Sequence, residues 1–520
     1  MGVALTVLAA FATFPVVHTA AAHAVGTRRR NILFVLTDDL DTSEMSALPE
    51  VNALVAKPGA TFDDNYVSDS LCCPSRTSLL RGQFAHNTGV HSNGGANGGF
   101  DTAFRLGVEA DTIATRLQAD GYRTGLFGKY LNGYPGTPGR DYIPPGWSEW
   151  ASPVDGHPYT EYDYTLNRDE AFPAFGATPR DYGTDVYLRM ATRFVQRSVR
   201  AGQPFFAYLS VFAPHEPATP APADVDRFAG AHAPRTPSYD QDDVSAMPVY
   251  IRDLPKFTAD ESAAIDRLYQ RRLESLQAVD RGVANLVATL RSLHALHDTY
   301  VVFTSDNGFH LGQHRLPAGK ETPYDTDIRV PLAIRGPGIH AHTRVDAMTA
   351  NTDLAPTFAA MAKATPNPEW DGRSLLGLAL DDAPPRASAR NAQLVEHWTE
   401  TPTDRPLPPG VFEPPDVDQS DPRLHPTSMS RPELLSDHTI YGRLVKIPDY
   451  AGVRTRQYLY VEYVNGDREL YDVTADPDEM HNLAGTQPEL EAQLSNLVAA
   501  LRSCRGATCR ALERSDPSGP

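Results

Sequence analysis

The sequence predicts an α/β protein: a mostly parallel sheet flanked by helices, then a smaller antiparallel sheet with one helix. Three observations predict it. Continuous apolar runs of strand length, the pattern of strands buried on both faces, recur along the chain, and each ends in charged or polar residues. Stretches with apolar residues at helical spacing lie between them. Toward the end, two strand-like runs flank Asn465-Gly466, a strong hairpin signal.

The first run, Asn31 to Leu36 (NILFVL), stops at Thr37-Asp38-Asp39. YRTGLFGK stops at Lys129, PFFAYLSVFAPH at His215, and TYVVFTSDNG at Asp306 and Asn307. Helical periodicity covers Val108 to Asp120 and Ala259 to Leu296. Open α/β sheets bind ligands beyond the carboxyl ends of their strands, so these four polar ends make one candidate site if the strands are neighbours. From Asp381, DDAPPRASAR reads as a linker, and Thr401 to Pro432 as a Pro-rich irregular insertion. Beyond it, QYLYVEYV and ELYDV form the hairpin, with positive φ expected at both Asn465 and Gly466. Thr486 and Glu489 form a capping box for a helix with Leu490, Leu494, Leu497 and Leu501 on one face. The expected division is a catalytic domain over 28–385 and a C-terminal subdomain over 391–512.

Composition narrows the function. The 47 basic and 65 acidic residues leave a formal charge of -18, which argues against broad binding to nucleic acid or an anionic membrane. Residues 1–24 form an apolar run ending in Ala22-His23-Ala24, the pattern of a signal peptide cleaved after Ala24, although no Lys or Arg precedes the run. Pro15 and the short apolar length disfavour a membrane span, so the mature protein is expected to be secreted or extracytoplasmic, without a stable membrane anchor. Cysteines of exported chains usually pair, and Cys504 and Cys509 can close a small loop. Cys72 and Cys73, side by side in DSLCCPSRTSLLRG, are left over.

Asp38, Asp39, Asp306 and Asn307 offer only oxygen ligands, which suit Ca²⁺ or Mg²⁺ better than Zn²⁺. Pro74 suits the first turn of a helix, placing Cys72 near the positive end of the helix dipole, where an anionic substrate or a thiolate is favoured. An inert buried pair or a strained vicinal disulfide is the alternative for Cys72 and Cys73.

Cys72-x-Pro74-Ser75-Arg76, followed by Leu80-Arg81-Gly82, resembles the signature of type I sulfatases, whose cysteine is oxidised to formylglycine. GYRTGLFGKYLNG, Gly121 to Gly133, resembles the second signature of the same family. LCCPSR, FGKYLN, DYIPPGW, PYDTDIRVP and LYDVTADPDEMHNL are most similar to segments of N-acetylglucosamine-6-sulfatases and extracellular heparan endosulfatases. The resemblance implies an alkaline-phosphatase-like sheet and a partner, the formylglycine-generating enzyme, that modifies Cys72. It also implies one Ca²⁺ held by Asp38, Asp39, Asp306, Asn307 and the modified residue 72. The aldehyde hydrate would attack sulfur, form a covalent sulfo-enzyme, and expel sulfate by internal elimination. Arg76 would steady the formylglycine and Lys129 would bind sulfate. His215 and Lys320 would flank the leaving oxygen, and one of them would act as general acid. Many sulfatases carry a histidine where this chain has Leu131, and His310 and His314, in GFHLGQH, are the candidates to replace it or to contact substrate.

The implied activity is hydrolysis of sulfate esters, foremost the 6-O-sulfate of N-acetylglucosamine or related sugars. Alternatives are a broad arylsulfatase, a phosphate or phosphonate ester hydrolase of the same superfamily, and a non-catalytic sulfated-glycan-binding protein. Net acidity, with no long basic cluster besides Arg28 to Arg30, favours a sulfated small sugar or aryl sulfate over a long polyanion.

Overall fold

In the computed structural model the strand Asn31–Thr37 is paired in parallel on both edges, with Thr299–Ser305 on one side and Phe205–Ser210 on the other. Arg123–Gly128 pairs in parallel with the far edge of Phe205–Ser210. The four runs that end in polar residues are therefore neighbours, and their carboxyl ends share one edge. The structure describes residues 1–2, 29–381, 390–402 and 445–515; the expected signal peptide beyond Gly2, most of the linker and most of the Pro-rich insertion lie outside them.

The sheet has ten strands in the order Thr343–Val345, Ala60–Phe62, Leu332–Arg335, Thr299–Ser305, Asn31–Thr37, Phe205–Ser210, Arg123–Gly128, Glu149–Gly156, Tyr164–Arg168 and Ala174–Phe175. Leu332–Arg335 and the last two strands run antiparallel to their neighbours. Alternate residues of the first strand enter opposite cores. Ile32, Phe34 and Leu36 join Phe206, Tyr208, Leu117 and Phe358 on one face. Leu33 and Val35 join Leu209, Phe303, Phe194 and Leu276 on the other. Both faces are covered by helices, which is why the run is apolar at every position; each fully buried side chain of this kind contributes about 1.5–3 kcal/mol.

The helix Ala259–Ser292 starts at a capping box in which Thr258 Oγ1 accepts from Glu261 N at 3.2 Å and Glu261 Oε2 accepts from Thr258 N at 2.7 Å. The stretch expected as one helix over Val108 to Asp120 is broken. Thr112 Oγ1 caps Thr115 N at 3.4 Å, so a short 3₁₀ turn, Val108–Asp111, precedes the helix Ile113–Ala119.

The second sheet pairs Ala392–His397, Tyr450–Thr455, Tyr458–Tyr463 and Arg468–Asp472, all antiparallel. In the Asn465-Gly466 turn only Gly466 has positive φ, at 93°. Asn465 instead turns the chain through its side chain, Oδ1 accepting from Asp467 N at 3.0 Å. The C-terminal helix, Pro488–Leu501, does not use the Thr486–Glu489 box. Pro488 takes the first helical position and moves the cap to Gln487, leaving Leu490 at the third. Glu491 Oε1 takes the Gly485 and Gln487 N–H groups instead, at 2.7 and 3.3 Å. Leu494, Leu497 and Leu501 cover Leu394, Val453, Tyr460 and Leu470 on one face of this sheet. The other face sets Val395, Leu459 and Tyr471 against Tyr324 and Ile328 of the larger unit. Cys504 and Cys509 are disulfide-bonded after the helix. Among the described residues no helix is long and apolar enough to cross a membrane.

Candidate active site

Leu71 is extended and the helix runs Cys72–Arg81, so Cys72 opens its first turn and Pro74 falls where no N–H is needed. Gly82 ends the helix at φ 64°, and a Cβ there would meet the Trp370 ring at 2.7 Å. Cys72 and Cys73 are both free thiols. Cys73 packs in the apolar core, while Cys72 points into the strand ends.

There the Cys72 Sγ lies 3.3 Å from Asp38 Oδ1 and 2.8 Å from Lys320 Nζ. Lys320 Nζ also donates to Asp39 Oδ1 at 2.9 Å, and Lys129 Nζ to Asp38 Oδ2 at 2.7 Å. His215 Nε2 stands 3.6 Å from Asp39 Oδ2. Asp306 Oδ2 accepts from Arg76 Nε at 2.7 Å, and its Oδ1 accepts from the N–H groups of Asp39 and Asn307 at 3.0 and 2.8 Å. Asn307 Nδ2 donates to Asp39 Oδ1 at 2.7 Å. The structure thus brings Asp38, Asp39, Cys72, Arg76, Lys129, His215, Asp306, Asn307 and Lys320 to one buried centre.

Two atoms in it are unsatisfied. Arg76 Nη2, 3.5 Å from Asp38 Oδ1, is buried without a hydrogen bond, as is Asn307 Oδ1. Buried polar atoms without partners are costly, and here one is a cationic donor and the other a neutral acceptor. The first fits an anion and the second a cation. Asp38, Asp39, Cys72 and His215 offer ligand atoms within 4.8 Å of one another. With Asp306 and Asn307 alongside, the donors are rich in oxygen, which fits a hard cation such as Ca²⁺.

Charge keeps the centre polarised. Burial alone would raise the Asp38 carboxyl, but Lys129, Arg76 and His215 outweigh it and hold it at about 2. Burial and then Asp38 push the Cys72 thiol well up, so unmodified Cys72 is a neutral thiol at physiological pH. Burial would lower the Lys129 ammonium, but the carboxylate of Asp38 raises it, and it stays charged.

His310 and His314 are both hydrogen-bonded to neighbouring side chains, and the His310 backbone pairs with Gly319, the residue before Lys320. His310 Nδ1 is 3.0 Å from both oxygens of Asp327, whose Oδ2 also accepts from Thr322 N at 2.9 Å. His314 Nδ1 is 2.8 Å from Gln241 Oε1, and burial followed by His310 depresses it to about 3. Such a histidine is neutral at physiological pH and is no proton donor. Leu131 packs in the apolar core. His397 is likewise held at about 4 by burial. An unfolded chain protonates both histidines near 6.5, so their contribution to stability is whole above that pH and is lost as pH falls toward 4 and then 3. Calorimetric Tm is therefore expected to drop on acidification below pH 6.5, with a shallower drop in His314→Gln; equal slopes for the two proteins would refute this.

Three supports of the centre carry little signal in the sequence. Arg272 Nη2 donates to the carbonyl of Asp39 at 2.5 Å, where the backbone turns through φ 65°, and Glu44 holds the same guanidinium at 2.6 Å. An arginine spaced with Leu268 and Leu276 inside an apolar stripe is the signal that could have marked it. Ser210 Oγ accepts from Arg76 Nη1 at 2.7 Å. Tyr159, on a 3₁₀ turn between the strands Glu149–Gly156 and Tyr164–Arg168, lies under Lys129 Nζ at 4.9 Å and against the His215 ring at 4.6 Å, a cation–π contact without a sequence signature.

A buried centre with a guanidinium nitrogen that makes no hydrogen bond, two lysines and a cluster of carboxylates, at the strand ends of such a sheet, suits a hydrolase of anionic esters. Residues 30–364 match the sulfatase family model, and the chain belongs to the sulfatase family, whose enzymes hydrolyse sulfuric esters. It is 33% identical over 513 residues to the human N-acetylglucosamine-6-sulfatase, covering 95% of this chain and 88% of that one. It is 35% identical over 378 residues to a Caenorhabditis elegans protein named as an extracellular sulfatase Sulf-1 homolog, covering 72% of this chain and 52% of that one, so the chain spans about half of that relative's length. A protein solved in complex with its substrate D-glucosamine-2-N,6-O-disulfate shares the alkaline-phosphatase-like fold at TM-score 0.69 and 22% identity, over 94% of this chain and 99% of that one.

Proposed function

We propose that the chain hydrolyses the sulfate ester of a small sugar, foremost the 6-O-sulfate of N-acetylglucosamine, using Cys72 as formylglycine and one Ca²⁺. The observation that carries this is the pairing of Arg76 Nη2, a buried cationic donor without an acceptor, with Cys72 and two lysines around the same carboxylates. Burial and the carboxylate of Asp38 keep the Cys72 thiol protonated, which supports modification, because an unmodified Cys72 would be a poor nucleophile.

Asp38, Asp39, Asp306 and Asn307 would hold the cation, which with the modified residue supplies an activated hydroxyl and a counter-charge for a sulfate oxygen. Arg76 and Lys129 bind the equatorial oxygens, where negative charge builds. The Tyr159 ring under Lys129 Nζ favours the charged ammonium and would continue to do so were Asp38 to hold a cation. Lys320, beside Cys72, protonates the leaving oxygen, and His215, whose Nδ1 is fixed 2.7 Å from the carbonyl of Glu216, presents Nε2 to the same region. The disulfide and the extracellular naming of relatives support an extracytoplasmic location.

The test is the mass of the peptide spanning Asp69 to Arg76 from native host material, with turnover of 4-nitrophenyl sulfate and N-acetylglucosamine 6-sulfate. An aldehyde at residue 72 and release of sulfate are expected. An intact thiol in active protein would overturn the mechanism, and faster release of phosphonate than of sulfate would reassign the reaction.

A further inference from the structure

Three residues before Cys72 lies the most anomalous group among the described residues. Asp69 is fully buried and neither carboxyl oxygen has a hydrogen-bond partner. Leaving a carboxyl in that state costs free energy that a fold does not retain without cause. Three residues reach at most about 11 Å, so Asp69 stands within roughly one sugar ring and its linkage of the reacting atom.

Its surroundings are incomplete in the same way. Asn93 is tied to the helix start, its Oδ1 accepting from Cys73 N at 2.8 Å, while its Nδ2 has no partner. Ser68 O accepts from Glu396 N at 2.8 Å, bringing the end of the strand Ala392–His397 alongside residues 68 and 69; Ser68 Oγ and His397 Nδ1 are both buried and unpartnered. On the remaining side the segment after Lys320 closes in, Glu321 N donating to Ser70 O at 3.3 Å. Both carboxyl oxygens of Asp69 and one polar atom each of Asn93, Ser68 and His397 are thus buried and unpaired on segments that adjoin the start of the Cys72 helix. This mix of donors and acceptors suits the hydroxyl groups of a sugar. The charged neighbours of Asp69 are Glu396 and Glu321, both acidic, so a second sulfate on the same ring would meet negative charge.

Resting on the reading of the chain as a sugar sulfatase, we propose that Asp69, with Asn93, Ser68 and His397, forms a recognition subsite for the hydroxyl groups of the ring bearing the scissile sulfate, and that it disfavours a second sulfate there. The subsite makes the enzyme selective for monosulfated sugars over aryl sulfates and over disulfated sugars.

The test compares kcat/KM for N-acetylglucosamine 6-sulfate, 4-nitrophenyl sulfate and D-glucosamine-2-N,6-O-disulfate in wild type, Asp69→Ala and Asp69→Asn. The ratio of sugar monosulfate to aryl sulfate is expected to fall about 30-fold or more in Asp69→Ala, the scale set by losing hydrogen bonds in a site built for them. Asp69→Asn, which keeps one donor and one acceptor, is expected to retain more of the ratio. Tm of Asp69→Ala is expected to be equal to or above wild type, because an unsatisfied group has been removed. Wild type is expected to prefer the monosulfate to the disulfate, and Asp69→Ala to keep that preference, because Glu396 and Glu321 remain in place. An unchanged ratio, or a loss of Tm with both activities falling together, would overturn the subsite and leave the sulfatase reading standing. Absence of turnover of every sulfate ester by wild type carrying the aldehyde would overturn that reading itself.

Discussion

Replacing Cys72 by Ala or Ser is expected to lower sulfate-ester turnover about a thousandfold or more, while the fold persists. Cys72 is where the carboxylate of Asp38, the ammonium of Lys320 and the end of a helix meet, and its side chain is small and fully buried. Either replacement is close to it in size, so Tm should move little. The two variants then part company. Alanine has no nucleophile, so it binds substrate and does nothing. Serine has one hydroxyl, held beside Lys320 in the field of Arg76 and Lys129, and can attack sulfur once. The resulting ester has no second hydroxyl on the same carbon to expel it, so the protein should gain the mass of one SO₃ group and stop. Intact-mass spectrometry after incubation with 4-nitrophenyl sulfate reads this directly. Continuous turnover by Cys72→Ser at a wild-type rate would show that a single hydroxyl suffices and that no geminal pair is needed.

Much of the centre was legible in the sequence because its strand-end residues sit where apolar runs stop, whereas Arg76, on the Cys72 helix, and Lys320, in a loop, were marked only by the family resemblance. Asp38, Lys129 and Asp306 follow their strands directly, and strand pairing then dictates that they converge. His215, five residues past Ser210, needed the loop as well. What stayed hidden was carried by loops and by distant elements. Tyr159 comes from a turn between two strands near one end of the sheet, and Glu44 with Arg272 supports Asp39 from two helical segments. The C-terminal cap failed for a local reason, since Pro488 shifted the register by one and put Leu490 where a capping carboxylate was expected. In the Asn465-Gly466 turn the hairpin was legible but its backbone was not, because an Asx hydrogen bond replaced the left-handed residue.

Calcium is expected to raise the Tm of the wild type, and Asp39→Asn to abolish that response. Asp38, Asp39 and Asp306 are buried together, which is tolerable because Lys129, Lys320 and Arg76 neutralise them. Asp38, Asp39, Asp306 and Asn307 would hold such a cation, and Lys129 and Lys320, now paired with Asp38 and Asp39, would then be available to a sulfate. A ligand present at about 100 times its Kd adds about 2.7 kcal/mol to the folded state. The orphaned Asn307 Oδ1 gives an independent handle. Asn307→Ala removes an acceptor that no protein donor uses, and the calcium-induced shift should shrink in it too. The readout is calorimetry with and without Ca²⁺ in protein stripped with a chelator, which needs no substrate and no aldehyde at residue 72. A wild-type Tm indifferent to Ca²⁺, or an Asp39→Asn variant that responds as the wild type does, would mean that the lysines alone balance the carboxylates. In that case the anion site would stand complete without a metal, and Lys129 would have to bind sulfate while still paired with Asp38.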